Sequence, residues 1–112
     1  MSDRDRLVAK LAPYRETPGV TAALLISRDG FVVAADADPG FATDAVAAQL
    51  GGVIDVGARL AKELRQPSVN YISIELDALN VLLAPFGEEL MLALVGRPDV
   101  LSCEYRLKTT GA

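Results

Sequence analysis

The chain has 112 residues, 51% hydrophobic and 23% charged, with a formal net charge of −4. That balance predicts one ordered domain over residues 1–112. With no local Lys/Arg cluster, it argues against nucleic acid or an anionic membrane surface as a partner. The chain has no histidine and one cysteine, Cys103, which excludes an internal disulfide, Ser/His and Cys/His nucleophile pairs, and histidine-ligated metal sites.

No apolar run approaches the roughly 20 residues needed to span a bilayer. The opening "MSDRDRLVAK" lacks the basic-then-apolar order of a signal peptide. No membrane insertion is expected, and the lone cysteine suits a reducing, cytoplasmic setting.

In chain order, Ser2 followed by Asp5 reads as an N-cap with an acidic residue in the first turn. Leu7, Leu11 and Tyr14 then share a helical face, predicting a short helix over residues 3–16 that stops before Pro18-Gly19. "TAALLISRDGFVVAAD" places two β-prone runs around Asp29-Gly30, a pair suited to a type I′ hairpin turn. In the first run Leu24 and Ile26 face one way and Ala23 and Leu25 the other. Both faces are apolar, so this strand is expected to be covered on both sides.

Residues 42–65, "ATDAVAAQLGGVIDVGARLAKELR", have the spacing of an amphipathic helix, with Thr43 or Asp44 near its start. Gly51, Gly52 and Gly57 lie inside it, each costing about 1 kcal/mol relative to alanine. A helical wheel puts Val46, Leu50, Val53, Gly57, Leu60 and Leu64 in one stripe, which is expected to face the sheet. Asp44, Asp55 and Lys62 then lie opposite, in water. Ala47, Gly51, Ile54, Ala58 and Ala61 form a flanking band of mostly small residues. That band either seats the helix within its own chain or accepts the same helix of a second copy at close range.

Gln66-Pro67-Ser68 closes the helix. In "VNYISIELD", Ile72, Ile74 and Leu76 alternate with Tyr71, Ser73 and Glu75, so this strand has a polar face and reads as an edge. A two-fold axis near Ser73 would set Tyr71 of one copy against Glu75 of the other. The homodimer contact is therefore expected at Ala47, Gly51, Ile54, Ala58, Ala61, Tyr71, Ser73 and Glu75. "NVLLAPF" and "LMLALVG" bracket a second hairpin, with Pro85 expected at a strand end or bulge. The tail after Pro98-Asp99 is expected to form a final short helix. The order is α-β-β-α-β-β-β-α: an α/β sandwich whose five-stranded antiparallel sheet has the long helix on one face and the short terminal helices on the other.

Chemistry is sparse along this chain. There is no GxxxxGK[ST] loop and no GxGxxG turn, so nucleotide binding of those kinds is not expected, nor is any cofactor. Asp36 and Asp38 suit turn formation and helix entry better than catalysis. Glu88 and Glu89 suit a solvated loop, Arg28, Arg59 and Arg65 solvated surface, and Cys103 a small apolar contact. No set of residues can run a reaction, and the chain reads as a non-enzyme.

The "PGVTAALLISRDGFVVAAD" stretch, the long Ala/Gly-rich helix and the run ending "LMLALVGRPDV" together resemble the Roadblock family, the dynein-light-chain type of domain, including its bacterial MglB-like members. The resemblance spans roughly residues 5–107. It implies an α/β/α sandwich that dimerises through the third strand and the long helix. It also implies a platform for small Ras-like GTPases, or a structural subunit of a larger complex; MglB-like members act as a GTPase-activating partner. With two such helices on one face of a joined sheet, Asp44, Ala48, Asp55, Arg59 and Lys62 would meet a GTPase. A purely structural dimerisation subunit is the alternative, and a sensor of a small apolar ligand is a third reading.

Overall fold

A computed structural model of the chain describes residues 2–101. Helix α1 (Asp3–Arg15) starts at a capping box. The Asp5 amide donates to Ser2 Oγ at 3.1 Å and the Ser2 amide to Asp5 Oδ2 at 3.3 Å, which satisfies amides that a helix start leaves without partners. Strands β1 (Val20–Ser27) and β2 (Val32–Ala37) follow, then the long helix α2 (Thr43–Glu63). Strands β3 (Ile72–Glu75), β4 (Asn80–Phe86) and β5 (Leu90–Gly96) complete the order. The final helix expected after Pro98 lies outside the described residues.

All five strands form one antiparallel sheet in the order β2-β1-β5-β4-β3. Strand β1 is central and alternates as its sequence predicts. Ala22, Leu24 and Ile26 join the core under α2, while Ala23 and Leu25 join the core under α1. Leu7 and Tyr14 pack beside the fully buried Leu11 on that second side. Pro85 sits near the end of β4, opposite Met91. Strand β3 begins at Ile72, opposite Leu83, so β4 has already lost its other neighbour when Pro85 is reached. The missing amide therefore breaks no ladder on that side.

The β1–β2 turn differs from the expected type I′. Such a turn needs positive φ at both central residues, and here Gly30 alone has it, at 90°. Arg28, Asp29 and Gly30 form a three-residue loop, closed by the Gly30 amide donating to the Ser27 carbonyl at 3.0 Å. Ser27 then pairs with Phe31, and the register slips between Leu25 and Ile26. This loop carries the tip of the hairpin onto α2. A Cβ on Gly30 would come within 2.7 Å of the Ala47 carbonyl oxygen. A Cβ on Gly51 would meet the Asp29 carbonyl oxygen at 2.7 Å and the Gly30 Cα at 2.8 Å. Two backbones touch here, and neither side has room for a methyl group.

That contact decides which side of α2 faces the sheet. The buried residues of α2 are Ala47, Leu50, Gly51 and Ile54. The stripe expected to face the sheet is corrected accordingly: Leu50 is buried, Val46, Val53 and Gly57 are half-buried, and Leu60 and Leu64 are exposed. The helix ends in a Schellman pattern, with Gln66 N–H donating to Ala61 O at 2.8 Å and Arg65 N–H to Lys62 O at 3.0 Å. Arg65 takes the left-handed position at φ 56°, where glycine is usual. No described helix is long and apolar enough to cross a membrane.

Asp36 and Asp38 have a role beyond turn formation. Arg15, the last residue of α1, donates from Nε to Asp36 Oδ1 at 3.1 Å and from Nη2 to Asp38 Oδ1 at 2.7 Å. Its Nη1 donates to the Val20 carbonyl. Its side chain is only 19% exposed, and the hydrogen bond to Asp38 is the main factor raising its pKa, against a smaller opposing effect of burial. One guanidinium thus ties the end of α1 to two strands.

Opposite signs are expected for two adjacent glycines. Gly52→Ala, with nothing within 4 Å of the new Cβ, should stabilise the protein by about 1 kcal/mol through helix propensity. Gly51→Ala should destabilise it by about 1–3 kcal/mol, because overpacking against backbone outweighs the same gain. Urea unfolding of both variants checks this, and equal shifts would contradict the backbone contact.

Removing the clamp should also be felt. Arg15→Ala should lower stability by about 1–3 kcal/mol, the range for losing charge-assisted hydrogen bonds at a part-buried site. Arg59→Ala, which breaks only the exposed Arg59–Asp55 pair, should change it by less than about 1 kcal/mol. The same urea titrations separate the two variants.

Candidate protein–protein interface

Helix α2 presents three faces. The first, with Ala47, Leu50, Gly51 and Ile54, lies against the sheet and the hairpin tip. Three of these residues, Ala47, Gly51 and Ile54, were assigned from sequence to a contact with a second copy. Their own chain covers them, because small residues let the helix seat closely on the hairpin.

The second face is apolar and open. Val56, Leu60 and Leu64 are 64%, 58% and 61% exposed. With Val53, Gly57 and Ala61 they form one wall of a groove of about 440 Å³, whose other wall is Val69, Tyr71 and Ile72 at the start of β3. Gly57 sits low in this wall, 3.4 Å at its would-be Cβ from Ile72 Cδ1. No residue of α2 after Ile54 is buried, so the apolar stripe lies on the half of the helix that its own sheet does not hold.

The groove runs beside the sheet's open edge. Strand β3 is terminal in the sheet and pairs only with β4 among the described strands. Ile72 and Ile74 pack toward the α2 core, and Ser73 and Glu75 are exposed. An unpaired edge next to exposed leucines is the pattern of a surface that associates with another chain. Taking the still-exposed part of each such Val or Leu side chain out of water contributes about 1–2 kcal/mol. Of the other residues assigned to the contact, Ala58 is exposed, while Ala61 and Tyr71 are half-buried.

The third face is polar. Asp44, Ala48, Asp55, Arg59 and Lys62 are all exposed. Arg59 donates to Asp55 Oδ2 at 2.6 Å, one helical turn away. Phe31, 73% exposed at the end of the hairpin loop, is a large apolar group that the sequence reading did not single out. Nor did it single out Val56, and it assigned Leu60 and Leu64 to the core. Both bands of α2 are apolar enough to be buried, and the choice between them is made by Gly30, twenty-one residues away from Gly51 in the chain. A turn glycine is a weak signal for where a helix will sit. Among the described residues no group of three or more Cys, Asp or Glu side chains could hold a metal ion.

Solved structures share this architecture. The chain superposes on "MglB with tetrameric arrangement" with a TM-score of 0.84 at 23% identity, covering 98% of this chain and 84% of that one. The gliding protein MglB of Thermus thermophilus gives a TM-score of 0.82 at 24% identity, over 98% and 84% of the two chains. A Roadblock/LC7 domain from Streptomyces avermitilis gives 0.72 at 26% identity, over 86% and 79%. No curated protein matches the chain by sequence. The family model of the Roadblock/LC7 domain matches residues 8–96, a span from the middle of α1 to the last residue of β5, and the chain belongs to the Roadblock/LC7 family.

Proposed function

We propose that this chain works as a homodimer, without catalysis of its own, as a regulator or scaffold of a small Ras-like GTPase in the manner of MglB-like Roadblock proteins. The observation that carries the first half is the open apolar stripe of Val56, Leu60 and Leu64 beside the edge strand β3. Pairing of two β3 edges about a two-fold axis near Ser73 would bring two such stripes together and bury both. The contact surface then comprises Val53, Val56, Gly57, Leu60 and Leu64 with Tyr71, Ser73 and Glu75. Ala58 and Ala61 lie at its margin.

The polar faces of both helices would remain outward on one side of the joined sheet. Asp44, Ala48, Asp55, Arg59 and Lys62 would then meet the GTPase, with charge setting orientation and encounter rate more than affinity. Switch loops of a GTPase are ordered while the γ-phosphate is present, so a surface that reads them prefers the GTP state. Acceleration of hydrolysis, on this reading, comes from holding those loops in place. One observation favours the structural-subunit alternative instead: Arg59, the arginine of that polar face, is engaged by Asp55 at 2.6 Å.

The dimer is tested by light scattering at micromolar concentration. Wild type should be dimeric, and Leu60→Asp should be monomeric and folded, since Leu60 makes no core contact that folding requires. Ile54→Asp, which places a charge in the core, should unfold the chain instead. A folded wild-type monomer would refute the dimer.

Partner preference is tested by calorimetry with a Ras-like GTPase captured from the source cells, loaded with GDP or a GTP analogue. Asp55→Arg should weaken binding to the GTP form by about tenfold, and Arg59→Ala or Lys62→Ala by a few-fold, with the dimer intact. Equal affinity in both nucleotide states would favour the structural subunit.

A further inference from the structure

A second cleft adjoins the apolar groove and shares Ala61, Gln66, Ser68, Val69 and Ile72 with it. It opens beneath the C-terminal half of the helix, between the β1–β2 loop and residues 66–69, with a volume of about 460 Å³. That size falls within the range of small-molecule sites, roughly 300–1,000 Å³. Its floor is apolar, made by Ile54, Val69, Ile72 and Met91. Ile54 of α2 and Met91 of β5 are buried residues of one core, so the floor is held by the packed core.

The rim has a single sign of charge. Arg28 and Lys62 both line the cleft, the remaining polar groups are Gln66 and Ser68, and no carboxylate lines it. Several other cations of this acidic chain are already engaged. Arg6, Arg15, Arg59 and Arg97 each pair with aspartate, and Lys10 lies over the Phe86 ring at 5.9 Å. Arg28 and Lys62 have no ion-pair partner among the described residues. Asp29 and Asp55 share an adjoining hollow with Arg28, but neither comes within ion-pair distance of it, and Asp55 is held by Arg59.

We propose that this cleft binds a small organic anion with an apolar tail, of the acyl-carboxylate type. The tail would lie on Ile54, Val69, Ile72 and Met91, and the carboxylate would meet the Arg28 guanidinium and the Lys62 ammonium at the rim. Arg28 supplies a planar fork suited to a carboxylate, and Lys62 a second positive charge. An apolar floor with a few convergent polar groups is what such a ligand needs. The proposal does not depend on the dimer, because Arg28, Ile54, Lys62 and Met91, which define this cleft, do not line the groove assigned to dimerisation.

The test uses three probes of equal chain length: octanoate, octanol and octylammonium. Met91 is the internal one of two methionines, so its ε-methyl resonance in methyl-labelled protein reports from the floor of the cleft. Octanoate should move that resonance saturably, octanol more weakly, and octylammonium least. The double variant Arg28→Gln/Lys62→Gln should weaken octanoate by about tenfold or more, the loss expected for a charge-assisted contact, while octanol binds as before. Leu60→Asp should leave octanoate binding unchanged even where it removes the dimer, so the two readings fail separately. Equal affinity for octanoate and octylammonium, an unchanged double variant, or a Met91 resonance that does not move would each overturn the site.

Discussion

The approach of Gly51 to Gly30 is the constraint from which the rest of the molecule follows. A helix and a hairpin tip meet backbone to backbone, at distances that leave no room for a Cβ on either side. Such a contact is far less forgiving than side-chain packing, since a side chain can change rotamer and a carbonyl fixed in a turn cannot. It sets both the rotation and the position of α2 on the sheet. Ala47, Gly51 and Ile54 turn inward beside Leu50; Val56, Leu60 and Leu64 turn outward, and no residue of the helix after Ile54 is buried.

The two hollows beside α2 have one origin. A helix pinned near its middle, with no buried residue beyond Ile54, leaves space beside its C-terminal half. One hollow faces the edge strand and is walled by Val53, Leu60 and Tyr71. The other faces the hairpin and carries Arg28 and Lys62. The same helix therefore offers an apolar surface suited to a second protein chain and a cationic pocket suited to a small molecule.

Much of this was legible in the sequence, and the exceptions share a cause. Alternation across β1 and the Ser2–Asp5 cap are local patterns realised where expected, and Ser73 and Glu75 of β3 are exposed as expected, whereas Tyr71 packs toward α1 and Leu76 is exposed beyond the strand's end. The element order and the antiparallel sheet follow from them. The rotation of α2 is not a local property. Both of its apolar bands could cover a sheet, and the smaller side chains win because only they allow the hairpin to approach. The pairing of Arg15 with Asp36 and Asp38 likewise spans 21 and 23 residues. Sequence suggested turn formation for the aspartates because their partner lies on another element.

The character of strand β2 has a consequence for how far the sheet can grow. Strand β2 is the other end of the sheet, and joining two copies at β3 leaves a β2 at each end. An exposed strand edge invites a further strand, and repetition of that step gives a fibre. Here the edge is six residues long, out of step with its neighbour near the hairpin, and charged at Asp36 where Arg15 reaches over from α1. A short strand of irregular register with a charged residue is a poor template for a further strand. On the proposed pairing one edge is used up and the other is short, irregular and charged, which favours a closed pair over a polymer.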